Sequence, residues 1–427
     1  MQTVPTHRHD SSSSWLSHRM RAGAFACWVA ALLLATANSA EGPWPGWLGQ
    51  HRDGHSPDTG LLQEWPEGGP KLLWKLDSLG AGWSSAAVAN ERVYITGTPA
   101  EMQMLYCFGL DGKDIWKVGQ SPRCSHAKYY GARSTPTVDG NRLYVTGGDG
   151  LVTCHDTADG RILWKRDMVK ELGGKVGGWR YAESVLILDN LAIVTPGGQQ
   201  AVVALDKTSG EVVWKSPVSV TAGYSSCIVI RDRGGAIIVN GSQSGLLAVD
   251  AQTGKEVWTC DFAANNTANV PTPAFADGHL FWAVGYGKGA ICFRVSHEDG
   301  KWRFDEAYTS KDLNCHPGNY VVVQGRVYGK GKGGLACLDL KTGATLWTQR
   351  KIPTGQVSWA DGRLYVFADS RGAASLVAPA DSDGKLGGRI QVEGEGASWA
   401  YPVVAGGRLY LRYDTNLYCY NVKAGGF

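Results

Sequence analysis

The chain repeats itself, and the repeat decides most of what it can fold into. Residues 204–214 read Ala-Leu-Asp-Lys-Thr-Ser-Gly-Glu-Val-Val-Trp, and residues 248–258 read Ala-Val-Asp-Ala-Gln-Thr-Gly-Lys-Glu-Val-Trp. Residues 154–164 and 337–347 follow the same template, and residues 110–116 carry a shortened copy. The pattern is small-x-Asp-x-x-x-Gly-x-x-x-Trp. Its last position falls on Trp74, Trp116, Trp164, Trp214, Trp258, Trp302 and Trp347, with Val392 in the next slot. The interval is about 45 residues, the length of one four-stranded propeller blade.

Upstream of each copy lies a β-run split by a Gly turn, as in Val138-Asp139-Gly140-Asn141-Arg142-Leu143-Tyr144-Val145 or Asp361-Gly362-Arg363-Leu364-Tyr365-Val366. That is a hairpin signature. Each unit therefore reads as four strands, and eight units fill residues 70–427. The fold class expected is all-β, an eight-bladed propeller of four-stranded antiparallel blades. The first Trp strand, residues 71–75, has no complete unit before it, and the last unit, residues 399–422, lacks its Trp strand. The N-terminal strand is thus expected to complete the last blade and close the ring.

The repeated Trp is architectural in this reading: an outer-strand ring packs on the next blade. The cysteines fit the same frame. Cys107, Cys154, Cys292, Cys337 and Cys419 occupy the slot that holds Ala204 and Ala248 elsewhere, so they read as small core residues. Cys124, Cys227, Cys260 and Cys315 lie outside that slot, and a pairing among them stays open.

Residues 1–40 read as a secretory leader, with 41–69 as an N-terminal arm. An apolar run over residues 22–37 follows Arg19 and Arg21, and small residues close it at positions 38–40; Met20 is an alternative start. The run is short for a membrane span of about 20 residues. The expected location is the periplasm or the cell exterior. The formal net charge of the whole chain is +3, without a basic block, which argues against nucleic acid as a partner. Standard catalytic motifs are sparse. Residues 329–334 satisfy Gly-x-Gly-x-x-Gly but lie in a hairpin with no helix to receive a pyrophosphate.

The repeat resembles the tryptophan-docking motif of pyrroloquinoline-quinone-type eight-bladed propellers. That group includes the quinoprotein alcohol dehydrogenases and the outer-membrane barrel-assembly lipoprotein. Residues 44–54, Trp-Pro-Gly-Trp-Leu-Gly-Gln-His-Arg-Asp-Gly, and residues 64–70 are similar to a subgroup of secreted propellers of planctomycete-like bacteria. The resemblance spans residues 41–427. Two features depart from the enzymes: no two cysteines are adjacent, and the chain lacks their long insertions. Cys27 lies inside the apolar run rather than at its end, which argues against a lipid anchor.

The segments entering each blade are where a propeller gathers its channel-mouth side chains. They contribute Trp83, Arg133, Tyr181 and Glu183, then Tyr224, Asn265 and Asn269, and finally His316, Trp399 and Tyr401. Arg suits a carboxylate, the aromatics a planar or sugar-like ring, and Glu or His a proton transfer. What the resemblance implies is a flat quinone with Ca²⁺: Arg133 on a carboxylate, Trp83 or Trp399 as floor, Glu183 with Asn265 or Asn269 on the cation. The reading adopted is a binding module for a small ligand or an envelope protein. Its alternative is a quinone-dependent oxidoreductase acting on alcohols or sugars. No protein metal site independent of that cofactor is expected.

Overall fold

The computed structural model describes residues 42–426, apart from 319 and 381. The expected leader lies outside the described residues. Among them, 32 strands form eight four-stranded antiparallel sheets. Blades 1 to 7 span residues 87–122, 137–167, 186–215, 228–260, 274–310, 320–349 and 355–391. Blade 8 is built from both ends of the propeller: Val403–Ala405, Arg408–Tyr413 and Asn416–Asn421, with Leu72–Leu76 as its outermost strand. Trp74 pairs with Cys419, so the expected closure is the one observed.

One local device recurs at every joint. Each outermost strand carries a β-bulge at its docking residue. A bulge turns a side chain out of the regular pleat, and here it aims an aromatic ring at the next blade. Opposite that ring sits the small slot: Cys107 faces Trp116, Cys154 faces Trp164, Ala204 faces Trp214 and Ala248 faces Trp258. The slot cysteines are fully buried, and all described cysteines are free thiols.

The next blade receives the ring on a glycine. Gly210 closes the Asp206 turn at φ +74°, and a Cβ there would stand 2.7 Å from the Trp164 ring. Asp206 shapes that turn by accepting the amides of Thr208 and Ser209 at 2.9 and 2.8 Å. The indole of Trp164 then donates to the Lys207 carbonyl at 3.0 Å. Trp74, Trp116 and Trp347 make the same bond to the following blade, at 2.9, 3.1 and 2.8 Å. The Asp-x-x-x-Gly-x-x-x-Trp spacing is therefore a turn that accepts one ring and a strand that offers the next.

Two assignments of the repeat are corrected. In blade 5 the docking residue is Tyr308, not Trp302. Tyr308 faces Cys292, lies over Gly343 and donates to the Leu340 carbonyl at 2.9 Å. The hairpin there has ten-residue strands, which leaves Trp302 near its tip, stacked on His297. The lengthened strand also supplies Phe304, on which Trp258 stacks at 4.3 Å. In blade 7 the docking position is Gly388, not Val392. The missing ring comes from the arm: Trp65 lies on Gly388, with its ring 6.2 Å from that of Tyr365. The equivalent pairs Tyr94–Trp116, Tyr144–Trp164 and Tyr328–Trp347 stand at 6.0, 5.9 and 5.9 Å. Trp65 shares a buried cluster with residues of blades 7 and 8, so it fills the joint between them.

The rest of the arm crosses the propeller axis and bonds to every blade. Trp44 exchanges backbone bonds with Val88 of blade 1 at 2.8 and 2.7 Å, and the Pro45 carbonyl accepts from Val138 of blade 2 at 2.7 Å. The buried Arg52 guanidinium donates to carbonyls of Ser184, Val185 and Cys227, where blades 3 and 4 begin. The Trp47 indole donates to Thr272 Oγ1 at 2.9 Å, ahead of blade 5. His55 Nε2 bonds the Val322 carbonyl of blade 6 at 2.8 Å, and Ser56 donates to Trp359 of blade 7 at 2.8 Å. Asp58 accepts from Gly407 of blade 8 at 2.8 Å.

Truncating a buried aromatic costs about 3–5 kcal/mol. Trp65→Ala, although the residue lies outside the repeat, should therefore destabilise as much as Trp347→Ala, and Trp302→Ala clearly less. Chemical denaturation of the three variants checks this order.

Candidate binding site at the channel mouth

Segments entering seven of the eight blades, together with the arm, enclose a cavity of about 250 Å³. Of the residues expected at the mouth, Trp83, Arg133, Tyr224, His316 and Trp399 line it. The other five lie outside the lining. Tyr181 is buried, with its hydroxyl donating to the Pro196 carbonyl at 2.7 Å. Asn265 and Asn269 bond each other at 2.6 Å. Asn265 Oδ1 accepts the amides of Thr267 and Ala268, so this pair shapes the turn that presents Ala268 and Val270 to the cavity. Tyr401 is buried edge-on against Trp47 at 5.0 Å and supports it from beneath.

Glu183 is the fifth. Its carboxyl is buried, Oε2 accepts the Ala182 amide at 2.9 Å, and Oε1 has no partner. Burial pushes it up to about 7. Tyr181, Tyr224 and Cys227 are the titratable neighbours that face it.

The wall of the cavity is a continuous arc of rings. His126 stacks on Trp179 at 5.4 Å, Trp179 meets Tyr129 at 5.6 Å, Tyr129 meets Trp399 at 5.9 Å, and Trp399 meets Trp83 at 5.4 Å. Arg133 ends the arc, its guanidinium 5.6 Å from the Trp83 ring. Trp179 is held by its own amide, which donates to the Tyr224 hydroxyl at 3.2 Å, while Tyr224 itself sits at φ +77°. Across the cavity the Tyr286 hydroxyl bonds His316 Nε2 at 2.8 Å. Burial and Lys330 lower His316, and burial, Arg133 and Arg180 lower His126, so both rings are neutral at pH 7.

Trp47, Tyr129 and Tyr286 are lining residues that the blade-entry reading missed, and from the blade-entry segment headed by Trp179 it selected Tyr181 and Glu183 rather than Trp179 itself. A signal for Tyr129 and Trp179 was present. In the Trp spacing as read from the sequence, the intervals from Trp116 to Trp164 and from Trp164 to Trp214 are the longest, and the segments carrying Tyr129 and Trp179 fall within them. Trp47 gave none, because the arm belongs to no unit. A second, more open cleft of about 760 Å³ lies on the far side of the arm, bordered by hairpin turns and by Asp189 paired with Arg231. It gathers no comparable cluster of rings.

The residues present do not fit a quinone with Ca²⁺. Such a cation takes six to eight oxygen ligands, carboxylates among them. Among the described residues, the cavity lining holds no Asp or Glu. Glu183 lies beneath it with its carboxyl raised, and the amides of Asn265 and Asn269 are committed to each other and to backbone.

Sequence and fold place the chain among known proteins. A family model described as outer membrane protein assembly factor BamB matches residues 101–349 and 331–426. The chain belongs to that family. A curated relative of the same description from Kangiella koreensis is 31% identical over 134 residues, and the chain spans 31% of its length. BamB from Moraxella catarrhalis superposes with a TM-score of 0.60 at 18% identity, covering 82% of this chain and 96% of that one. A quinohemoprotein alcohol dehydrogenase from Pseudomonas putida gives 0.60 at 12% identity, covering 90% and 80%. At those identities the two structures share the fold.

Glu183 yields a pH signature. Its folded value lies above the ordinary 4.5, so protonation favours the folded state. That contribution is complete below pH 4.5, shrinks as pH rises towards 7, and is gone above it. Glu183→Gln keeps the shape without the charge, so its stability relative to wild type should improve between pH 5 and 8 by up to about 3 kcal/mol. Denaturant melts at the two pH values check this; an equal difference at both would contradict it.

Proposed function

We propose that this chain is an exported binding propeller of the cell envelope that holds one ring-sized group of its ligand or partner in the mouth cavity. The observation that carries the reading is the unbroken arc from His126 to Arg133. Rings left half-exposed around a cavity cost the fold apolar area that burial would otherwise use, and such lined cavities are the usual form of ligand sites. Trp47 lines the cavity and is backed by the buried Tyr401 ring. The cavity is rigid, because hydrogen bonds of Tyr224 and of the Asn265–Asn269 pair fix its loops.

Membership of a family named for outer membrane protein assembly supports an envelope protein as the source of that group. Export is inferred from the Arg-flanked apolar run at the N-terminus, with cleavage near residue 40. No helix among the described residues is long and apolar enough to cross a membrane.

The test uses protein expressed with its own leader and recovered from the periplasmic fraction. Small neutral ring compounds are titrated against wild type and Ala182→Trp, a substitution that fills the cavity. Binding should fall at least about tenfold in the variant, with the melting temperature retained. Binding that is unchanged by filling the cavity, or absent from the wild type, would contradict the proposal.

A further inference from the structure

Among the described residues of the cavity lining, Arg133 carries the only formal charge at neutral pH. Two cations near the mouth have acidic partners: Arg123 meets Glu101 at 3.2 Å and Arg180 meets Asp149 at 3.7 Å, while Lys128 lies over the Tyr129 ring at 5.3 Å. Arg133 makes no ion pair among the described residues. It is half-buried, and its internal bonds go to the Cys124 sulfur at 3.1 Å, the Gly131 carbonyl at 3.3 Å and the Tyr129 carbonyl. Those bonds use three of the five guanidinium N–H groups and leave Nε–H and one Nη2–H without an acceptor among the described residues. A half-desolvated guanidinium with spare donors and no counter-charge favours an anion.

The rings set the rest of the ligand. Trp83 and Trp399 stand 5.4 Å apart at 36°, which leaves no slot between them. A guest therefore lies against the joint face they present. The volume of about 250 Å³ admits one ring and its substituent, below the usual range of about 300–1,000 Å³ for drug-sized ligands. Resting on the mouth-cavity reading above, we infer that the group held there is a single ring bearing one carboxylate, stacked on the Trp83–Trp399 face with the carboxylate on Arg133. One cation suits one carboxylate; a tricarboxylate would leave two charges uncompensated. An aromatic acid and a uronic acid share this chemistry, the first through ring stacking and the second through its C–H face.

Two charge-matched series separate these sources. The aromatic arm compares indole-3-acetate, indole-3-acetamide and tryptamine; the sugar arm compares glucuronate, glucose and glucosamine. Binding of each to the mature protein is measured by calorimetry and saturation-transfer NMR. In one arm at least, the carboxylate should bind at least about tenfold tighter than its neutral match, with the cation weakest. The preference should vanish in Arg133→Gln and survive in part in Arg133→Lys. Because Arg133 also ties down its own loop, the wild-type comparison decides alone if the glutamine variant loses its melting temperature. Carboxylate and neutral match binding equally in both arms would overturn the inference and leave the mouth-cavity reading standing. A preference that survives Arg133→Gln in a folded variant would also overturn it. Failure of every ring to bind would overturn the two together.

Discussion

Eight sheets arranged around an axis hold together only if each neighbour pair is joined. In this protein the join is an aromatic ring laid on the next blade. At six joints the receiving surface is a glycine that no Cβ obstructs: Gly112, Gly160, Gly210, Gly254, Gly343 and Gly384. The β-bulge aims the ring, the small slot behind it makes room, and the Asp turn brings the glycine into place. At the joint between blades 4 and 5, Phe304 replaces the glycine with a parallel stack. At the joint between blades 7 and 8 the ring comes from outside the repeat, on Trp65.

That last joint ties the arm to the propeller's integrity and, through it, to the mouth. The chain that ends in Trp65 has already crossed the axis and bonded to all eight blades. Arg52 is the most demanding of those contacts: a buried guanidinium with backbone carbonyls as acceptors, lowered to about 10 by desolvation. A buried charge without its hydrogen bonds is expensive, so the carbonyls of blades 3 and 4 and the arm hold one another in place. The same segment delivers Trp47 to the base of the cavity. The site is therefore a product of ring closure, not an ornament on the loops.

Much of the fold was legible in the sequence because it is written several times over. Spacing exposed the eight units, and the orphan strand at residues 71–75 exposed the closure. The assignments that failed did so where a unit departs from its template. In blade 5 a longer hairpin moved Trp302 towards the tip, and only the partner across the strand, Cys292, identifies Tyr308 as the docking residue. In blade 7 the outermost strand, Lys385–Gln391, contains no aromatic, and the substitute ring lies more than three hundred residues earlier in the chain. The mouth was half legible. Blade-entry positions named Trp83, Arg133, Tyr224, His316 and Trp399, but the same logic also named Tyr181, Glu183 and Asn269, which fold under the surface. Their polarity carries no mark of whether a side chain faces the cavity or its foundation.

The account rests on the arm being a working part of the propeller throughout its native life. Amide hydrogen exchange of the mature protein tests this directly, through the amides that bond across the arm–blade contact, those of Trp44 and Ser56 in the arm and of Val88, Val138 and Trp359 in the blades, compared with blade-core amides that bond only within a sheet. The expected result is that the arm amides exchange as slowly as the blade-core amides, because releasing the arm opens the ring. Arm amides that exchange orders of magnitude faster, while the blade strands stay protected, would show a detachable strap and contradict the account.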